Sequence, residues 1–304
     1  MPFSMFEVAF AAAGLILLFV FFLAARRETT VYGALHELDN VVEQHAIEQF
    51  GLNGGFKQIK RITLVMPALN EKESLEQLLP RVPKSVSGEP LGLLIVDDGS
   101  SDGTADLARS FGFGVVSTPA QRGQGAALRL GYRIALMGES EILVIMDADG
   151  QNRPEEIEGL IEPILADRAD YVIGSRMLGH FEKDDGVRLM GVRLLSPLVS
   201  LLTGTKITDC SSGFKAMKTK VLANVIGRLK QRQYACSELN IEVARSGFRI
   251  REVPITFLKR IRGTSKKGNN LYYAFAFTRV IFSTWFRTLL VQKHSQSIEP
   301  GKVV

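Results

Sequence analysis

Ile142-Leu-Val-Ile-Met-Asp-Ala-Asp-Gly-Gln151 decides the fold. Its five leading apolar residues are too few for a core helix and rich in branched side chains. They read as a strand buried on both faces, the habit of a parallel sheet covered by helices. Working outward, the runs 62–66, 93–96, 115–117 and 171–173 repeat that pattern, and 71–81, 102–111, 123–137 and 154–166 between them carry helical periodicity. The alternation predicts an α/β domain, a mostly parallel Rossmann-like sheet with helices on both faces. In such folds ligands bind beyond the carboxyl ends of the strands.

The unusual residues fall at those ends. Strand alternation puts Asp147 and Asp149 on one side. With Gln151 they form a hard-oxygen set suited to Mg²⁺ or Mn²⁺, which would leave positions for diphosphate oxygens. The first strand ends in Pro67-Ala-Leu-Asn-Glu71 and the second in Asp97-Asp98-Gly-Ser-Ser-Asp-Gly-Thr104. Ser100, Ser101 or Asp102 can cap the next helix. Capping does not explain adjacent Asp97 and Asp98, which repel unless something binds them; a carboxylate there could accept hydrogen bonds from a nucleobase. Arg122-Gly-Gln-Gly-Ala126 lacks the third glycine of a dinucleotide fingerprint. It reads instead as a glycine-softened helix start, with Arg122 free to meet phosphate.

Composition bounds the rest. At 304 residues, 46% hydrophobic and 23% charged, the chain has ample core for one large domain or two small ones. The net charge of +5 is mild, but basic residues crowd the stretch from Arg245 to Lys267. Such a cluster suits nucleic acid, anionic lipid, a phosphorylated substrate or simply water; no recognition helix or RNA-binding motif accompanies it, so a nucleic-acid partner is not expected. Cys210 and Cys236 give no disulfide framework, and the four histidines have no ligand spacing, which excludes a structural zinc site. Residues 8–25 are eighteen positions without a charge, nearly enough to cross ~30 Å of hydrocarbon as a helix. Arg26 and Arg27 follow at once, which predicts an uncleaved anchor with the rest of the chain in the cytoplasm.

The quoted motifs, in order, resemble those of family 2 glycosyltransferases with the GT-A fold. Further on, Gly174-Ser-Arg176, Asp209-Cys-Ser-Ser-Gly-Phe-Lys215 and Arg260-Ile-Arg-Gly-Thr-Ser-Lys266 look like the polyprenyl-phosphate branch, the dolichol-phosphate mannose and glucose synthases. The resemblance covers about residues 60 to 268. It implies that Pro67, Ala68, Asn70, Glu71, Val96 and Asp97 line a nucleoside pocket, with Asp98 and Ala148 close by. Asp147, Asp149 and Gln151 would hold the metal and the sugar-nucleotide diphosphate. Arg122, Arg260 and Lys266 would reach phosphates, Arg176 would face the acceptor phosphate, and Asp209 would stand near the reacting sugar. Asn152-Arg153 replaces the His-Pro of many relatives, so sugar specificity does not carry over.

The expected organisation is an anchor (1–27), a juxtamembrane amphipathic helix and linker (28–59), a GT-A domain (60–268), and a C-terminal apolar helix and tail (269–304). Two helical stretches, 193–202 and 271–291, suit lipid. Arg279 and Arg287 lie about 80° apart around the second, which fits an interfacial helix with snorkelling arginines better than a second span. Packing of both against the domain or a second subunit is the competing reading. The expected activity is transfer of one hexose from a UDP- or GDP-sugar to a polyprenyl (dolichyl or undecaprenyl) phosphate, with inversion, at the membrane surface. The alternatives are a hydroxyl acceptor, with Asp209 or Glu238 as base, and a catalytically silent nucleotide-binding scaffold.

Overall fold

The computed structural model describes residues 37–182, 186–260 and 270–296. The predicted anchor at 8–25 and Lys266 lie outside them. Among the described residues no helix is long and apolar enough to cross a membrane.

Four parallel strands form the heart of the sheet: β1 (Ile62–Ala68), β3 (Glu89–Asp97), β4 (Gly114–Ser117) and β5 (Ile142–Ile145). The full order is β2-β3-β1-β5-β7-β6-β8, with β4 added on β3. Here β2 is Ser85–Val86, β6 Tyr171–Phe181, β7 Lys215–Lys218 and β8 Ile250–Phe257. Strand β7 runs antiparallel to both β5 and β6, so the sheet is mixed rather than uniformly parallel. Alternation within each central strand feeds two cores. Val65, Leu143 and Ile145 enter one; Leu64, Met66, Val144 and Met146 enter the other. The first core lies under α4 (Gln124–Met137), α7 (Thr219–Val225) and α8 (Ala235–Arg245). The second lies under α2 (Lys72–Leu78) and α5 (Ile157–Leu165), with Ala108 of α3 (Thr104–Ser110).

Three peripheral helices dock on the first layer. Helix α1, helical from 37 through 52, buries Ala46 and Phe50 in the core, so its described part is a component of the domain rather than a helix lying on lipid. Helix α6 (Gly186–Thr203) contributes Val199, and α9 (Asn270–Gln296) contributes Phe277 and Ile281. Trp285 Nε1 donates to the Leu202 carbonyl at 2.9 Å, tying α9 to α6. Arg287 does not snorkel: its guanidinium reaches Glu238 at 2.6 Å and Glu242 at 3.1 Å on α8. Two carboxylates buried on the facing helix draw it inward, so this side of α9 belongs to the domain.

Candidate active site

The carboxyl ends of β1, β3 and β5 stand side by side, and the loops that follow them are stapled together. Asn70, at φ 49°, donates its amide to Ser100 Oγ (2.8 Å) and accepts from the Ser101 amide on Oδ1 (2.8 Å). The Glu71 amide donates to Thr104 Oγ1, and that of Lys72 to Asp102 Oδ2. Asp102 also accepts from the Thr104 amide, so among the three capping candidates it serves the start of α3. Pro67 and Ala68 pair in register with Val96 and Asp97. Val96 sends its side chain into the core and has only main-chain groups to offer a ligand.

Asp97, the last residue of β3, and Asp98, the first of the loop, find separate partners, although burial and the Asp97 charge both raise the Asp98 carboxyl. Asp97 Oδ1 accepts from the Ser100 amide at 3.1 Å. Asp98 takes the main-chain amides of Arg122 (2.9 Å) and Gly123 (2.7 Å). Burial raises the Asp98 carboxyl above its ordinary value, and those two amides partly offset the rise. Asp98 is thus a clamp on the turn before α4. That turn needs its glycines: a Cβ on Gly123 would stand 2.6 Å from the Arg232 carbonyl oxygen, and one on Gly125 would strike that of Gln231. Arg122 is not free to meet phosphate. Its guanidinium is buried against Asp39 (3.6 Å) and Glu43 (3.4 Å) of α1.

Beyond β5, Asp147 Oδ1 accepts from Gln124 Nε2 at 2.7 Å, and Gly213 packs directly against the same carboxylate. Ala148 is buried in the second core. Asp149 Oδ1 accepts from the Gln151 amide (3.1 Å), while its Oδ2 receives Arg260 Nη2 at 2.8 Å. Arg260 also reaches Glu71 Oε1 at 3.3 Å. Burial alone would lower the Arg260 pKa, but the charges of Asp149 and Glu71 outweigh it and raise it. Gln151 is zipped to the end of β8: its Nε2 donates to the Leu258 carbonyl, and its own carbonyl accepts from the Leu258 amide.

Across β7 the buried Asp209 binds Arg176 through two side-chain bonds, both 2.6 Å, and takes the Arg176 amide at 3.1 Å. Arg176 further donates to Ser211 Oγ, and its guanidinium lies 4.8 Å from the Phe257 ring centre. Glu252 fixes the Asp209 loop by accepting the amides of Thr208 and Asp209. Burial pushes the Asp209 carboxyl up, yet the Arg176 charge and these hydrogen bonds more than reverse that and hold it below its ordinary value. Glu238 is also committed, to the amides of Lys230 and Gln231 and to Arg287.

Among the described residues no three His, Cys, Asp or Glu side chains gather into a metal cage. By donor chemistry, Asp147, Asp149 and the amide oxygen of Gln151 are the hard oxygens that a divalent ion would take, with non-protein oxygens completing its shell. Gln124 and Gly213, which position Asp147, were not singled out from sequence, although both lie in quoted motifs. Nor was Lys215, which is buried with Nζ on the Cys236 carbonyl (2.9 Å) and Asn240 Oδ1 (2.8 Å). Burial lowers its pKa.

Comparison with known proteins identifies the family and the fold. The sequence model of glycosyl transferase family 2 matches residues 63–226. The polyprenol monophosphomannose synthase of Mycolicibacterium smegmatis is 32% identical over 70% of this chain and 83% of its own. The undecaprenyl-phosphate mannosyltransferase of Micrococcus luteus is 32% identical over 69% and 89%. Glucosyl-3-phosphoglycerate synthase from Mycobacterium tuberculosis, solved with Mn²⁺, UDP and glucosyl-3-phosphoglycerate, superposes with a TM-score of 0.55 at 22% identity, over 75% of this chain and 79% of that one. At that identity the likeness is one of fold.

Proposed function

Because the chain belongs to glycosyl transferase family 2 and is a glycosyltransferase, we propose that it moves one hexose from a UDP- or GDP-sugar to a polyprenyl phosphate with inversion. The observation that carries this reading is the state of Asp209. A hydroxyl acceptor needs a base, and Asp209 is fully buried, locked to Arg176 and reluctant to take a proton. A phosphate monoester needs none, since its second pKa near 6 leaves it largely dianionic at neutral pH. The names of the two mannosyl-transferring relatives support the same acceptor class.

In this reading Pro67, Ala68, Asn70, Glu71 and Asp97 border the nucleoside, and Asp98 holds the turn beside it. A Mg²⁺ or Mn²⁺ ion on Asp147, Asp149 and Gln151 would, when bound, neutralise the departing diphosphate. Arg260 and Lys266 serve phosphate oxygens. Arg176, held as a rigid fork by Asp209 and Ser211, orients the acceptor phosphate. One acceptor oxygen attacks the anomeric carbon while the bond to the diphosphate oxygen breaks. The products are a β-linked lipid phosphate sugar, from an α-linked donor, and a nucleoside diphosphate. Residues 8–25 tether the domain on the cytoplasmic side. The exposed Met190, Leu194 and Leu201 of α6 and Phe275 of α9 offer further lipid contact.

The test is to incubate the full chain with radiolabelled UDP- and GDP-hexoses and polyprenyl phosphate, then extract the organic phase. Label should enter that phase with polyprenyl phosphate and not with polyprenol. NMR of the product should show the inverted anomer. Transfer to polyprenol, or a retained configuration, overturns the proposal.

A further inference from the structure

Helix α1 lies outside the stretch matched by the family model, yet it carries two acids buried at the domain surface. Asp39 is 2% exposed and Glu43 1%. Four apart, they share one face of the helix. Asp39 takes Arg232 at 2.8 Å, Arg129 at 3.2 Å and Arg122 at 3.6 Å; Glu43 takes Arg133 at 3.2 Å and Arg122 at 3.4 Å. Four guanidiniums converge on two carboxylates. Burying that much positive charge is costly, so the acids determine where the arginines can sit.

Three of those arginines, Arg122, Arg129 and Arg232, are built into the donor side of the site. The main-chain amides of Arg122 and Gly123 hold Asp98, and the Arg232 carbonyl accepts from the Gly125 amide at 2.8 Å. Arg129 Nη1 donates to the Gln231 carbonyl at 2.9 Å. The residue enclosed by this turn is Gln124, whose amide orients Asp147. The turn is thus fixed by Asp98, by the 231–232 main chain, and by α1 through Arg122, Arg129 and Arg232.

We propose that Asp39 and Glu43 are positioning residues for the donor site, acting through Arg122 and Arg232 on the turn that carries Gln124. The inference rests on the reading of Asp147 as part of that site. It makes the segment next to the predicted anchor a working part of the enzyme rather than a spacer.

The test uses the full chain in detergent micelles, with UDP or GDP plus Mn²⁺ as calorimetric probe. Asp39→Asn/Glu43→Gln is expected to weaken nucleotide binding and raise the donor KM about tenfold, as loss of an outer partner does at metal sites, with kcat within about twofold. Hydrogen exchange at the Arg122 and Gly123 amides should quicken. Asp39→Glu, which keeps the charge, should retain affinity. Phe50→Leu, which loosens the apolar packing of α1 alone, should lower Tm and leave affinity unchanged. Unchanged affinity in the double variant, or losses that simply track Tm across all three, overturns the inference. Failure of the wild-type chain to bind either nucleotide overturns the donor-site reading itself.

Discussion

Gly213→Ala tests whether the Asp147 carboxylate is held where chemistry needs it. A Cβ at 213 would stand 2.8 Å from Asp147 Cγ and 3.0 Å from Oδ1, and closer still to Oδ2, where ordinary contact begins at 3.4 Å. The backbone cannot retreat, because the next residue, Phe214, is fully buried and its carbonyl accepts the Gly174 amide at 2.9 Å. Asp147 must therefore swing by about 1 Å, an error that costs on the order of 10²-fold in rate, or ~2.7 kcal/mol. It would also break the 2.7 Å bond from Gln124. Losing that one bond costs about 1 kcal/mol of stability, a fall of ~2–4 °C in Tm. The assay pairs Mn²⁺ binding, followed by electron paramagnetic resonance, with steady-state sugar transfer. Gly159→Ala, in an open position within α5, is the control and should keep full activity. A Gly213→Ala enzyme that folds, binds Mn²⁺ and transfers sugar like the wild type would refute the argument. So would a large loss of fold in place of a loss of function.

Arg260→Gln frees Asp149 Oδ2 and Glu71 from a guanidinium. Affinity for Mn²⁺ alone should rise about tenfold, and that for the nucleoside diphosphate should fall; a drop in both would show that Arg260 merely supports the loop. Because Asp209 is held below its ordinary value, its ionised form contributes stability at every pH above its unfolded value near ~4, lost as pH falls through the lower folded value. The rate against pH should therefore show no Asp209 ionisation above that range, only a rise near ~6 from the acceptor phosphate. Asp209→Asn takes the fully buried carboxylate away from a mostly buried guanidinium and should cost ~3 kcal/mol in urea unfolding. Arg287→Met strips a cation from buried Glu238 and Glu242 and should destabilise by ~3 kcal/mol in thermal melts, which measures how firmly α9 is docked.

The central strands were legible because each is buried on both faces and therefore reads as an unbroken apolar run. Strand β7 was not. Lys215 and Lys218 bracket it, and nothing local reveals that Lys215 is satisfied by a carbonyl and an amide oxygen 21 and 25 positions away. The same blindness to distance explains Arg122, whose acidic partners lie some 80 residues earlier on a helix that reads as a juxtamembrane spacer. The doublet Asp97-Asp98 was rightly picked out as needing partners. Each finds its own main-chain donors, Ser100 for Asp97 and the Arg122 and Gly123 amides for Asp98, and the second pair lies too far along the chain to be read locally. Arg287 looked like a snorkelling residue because hydropathy sees the apolar surroundings of an arginine and not the two carboxylates that face it.

The proposed reaction asks two anions, a sugar diphosphate and a lipid phosphate, to meet at one carbon, and the distribution of charge answers that demand. On the donor side, three carboxylates (Asp147, Asp149 and Glu71) gather on one wall and Arg260 reaches two of them, so a diphosphate would be received there best together with a divalent cation. On the acceptor side, the negative charge of Asp209 is already matched within its pair with Arg176. A phosphate arriving there meets a fork whose orientation is fixed in advance and whose face is covered by Phe257. Order of binding follows from the same asymmetry. A metal–nucleotide complex held by Asp149 would compete with Arg260 for that carboxylate and so leave the guanidinium available to the phosphates. On that reading donor before acceptor is the expected order, because only then is the guanidinium released from Asp149 when the second anion arrives.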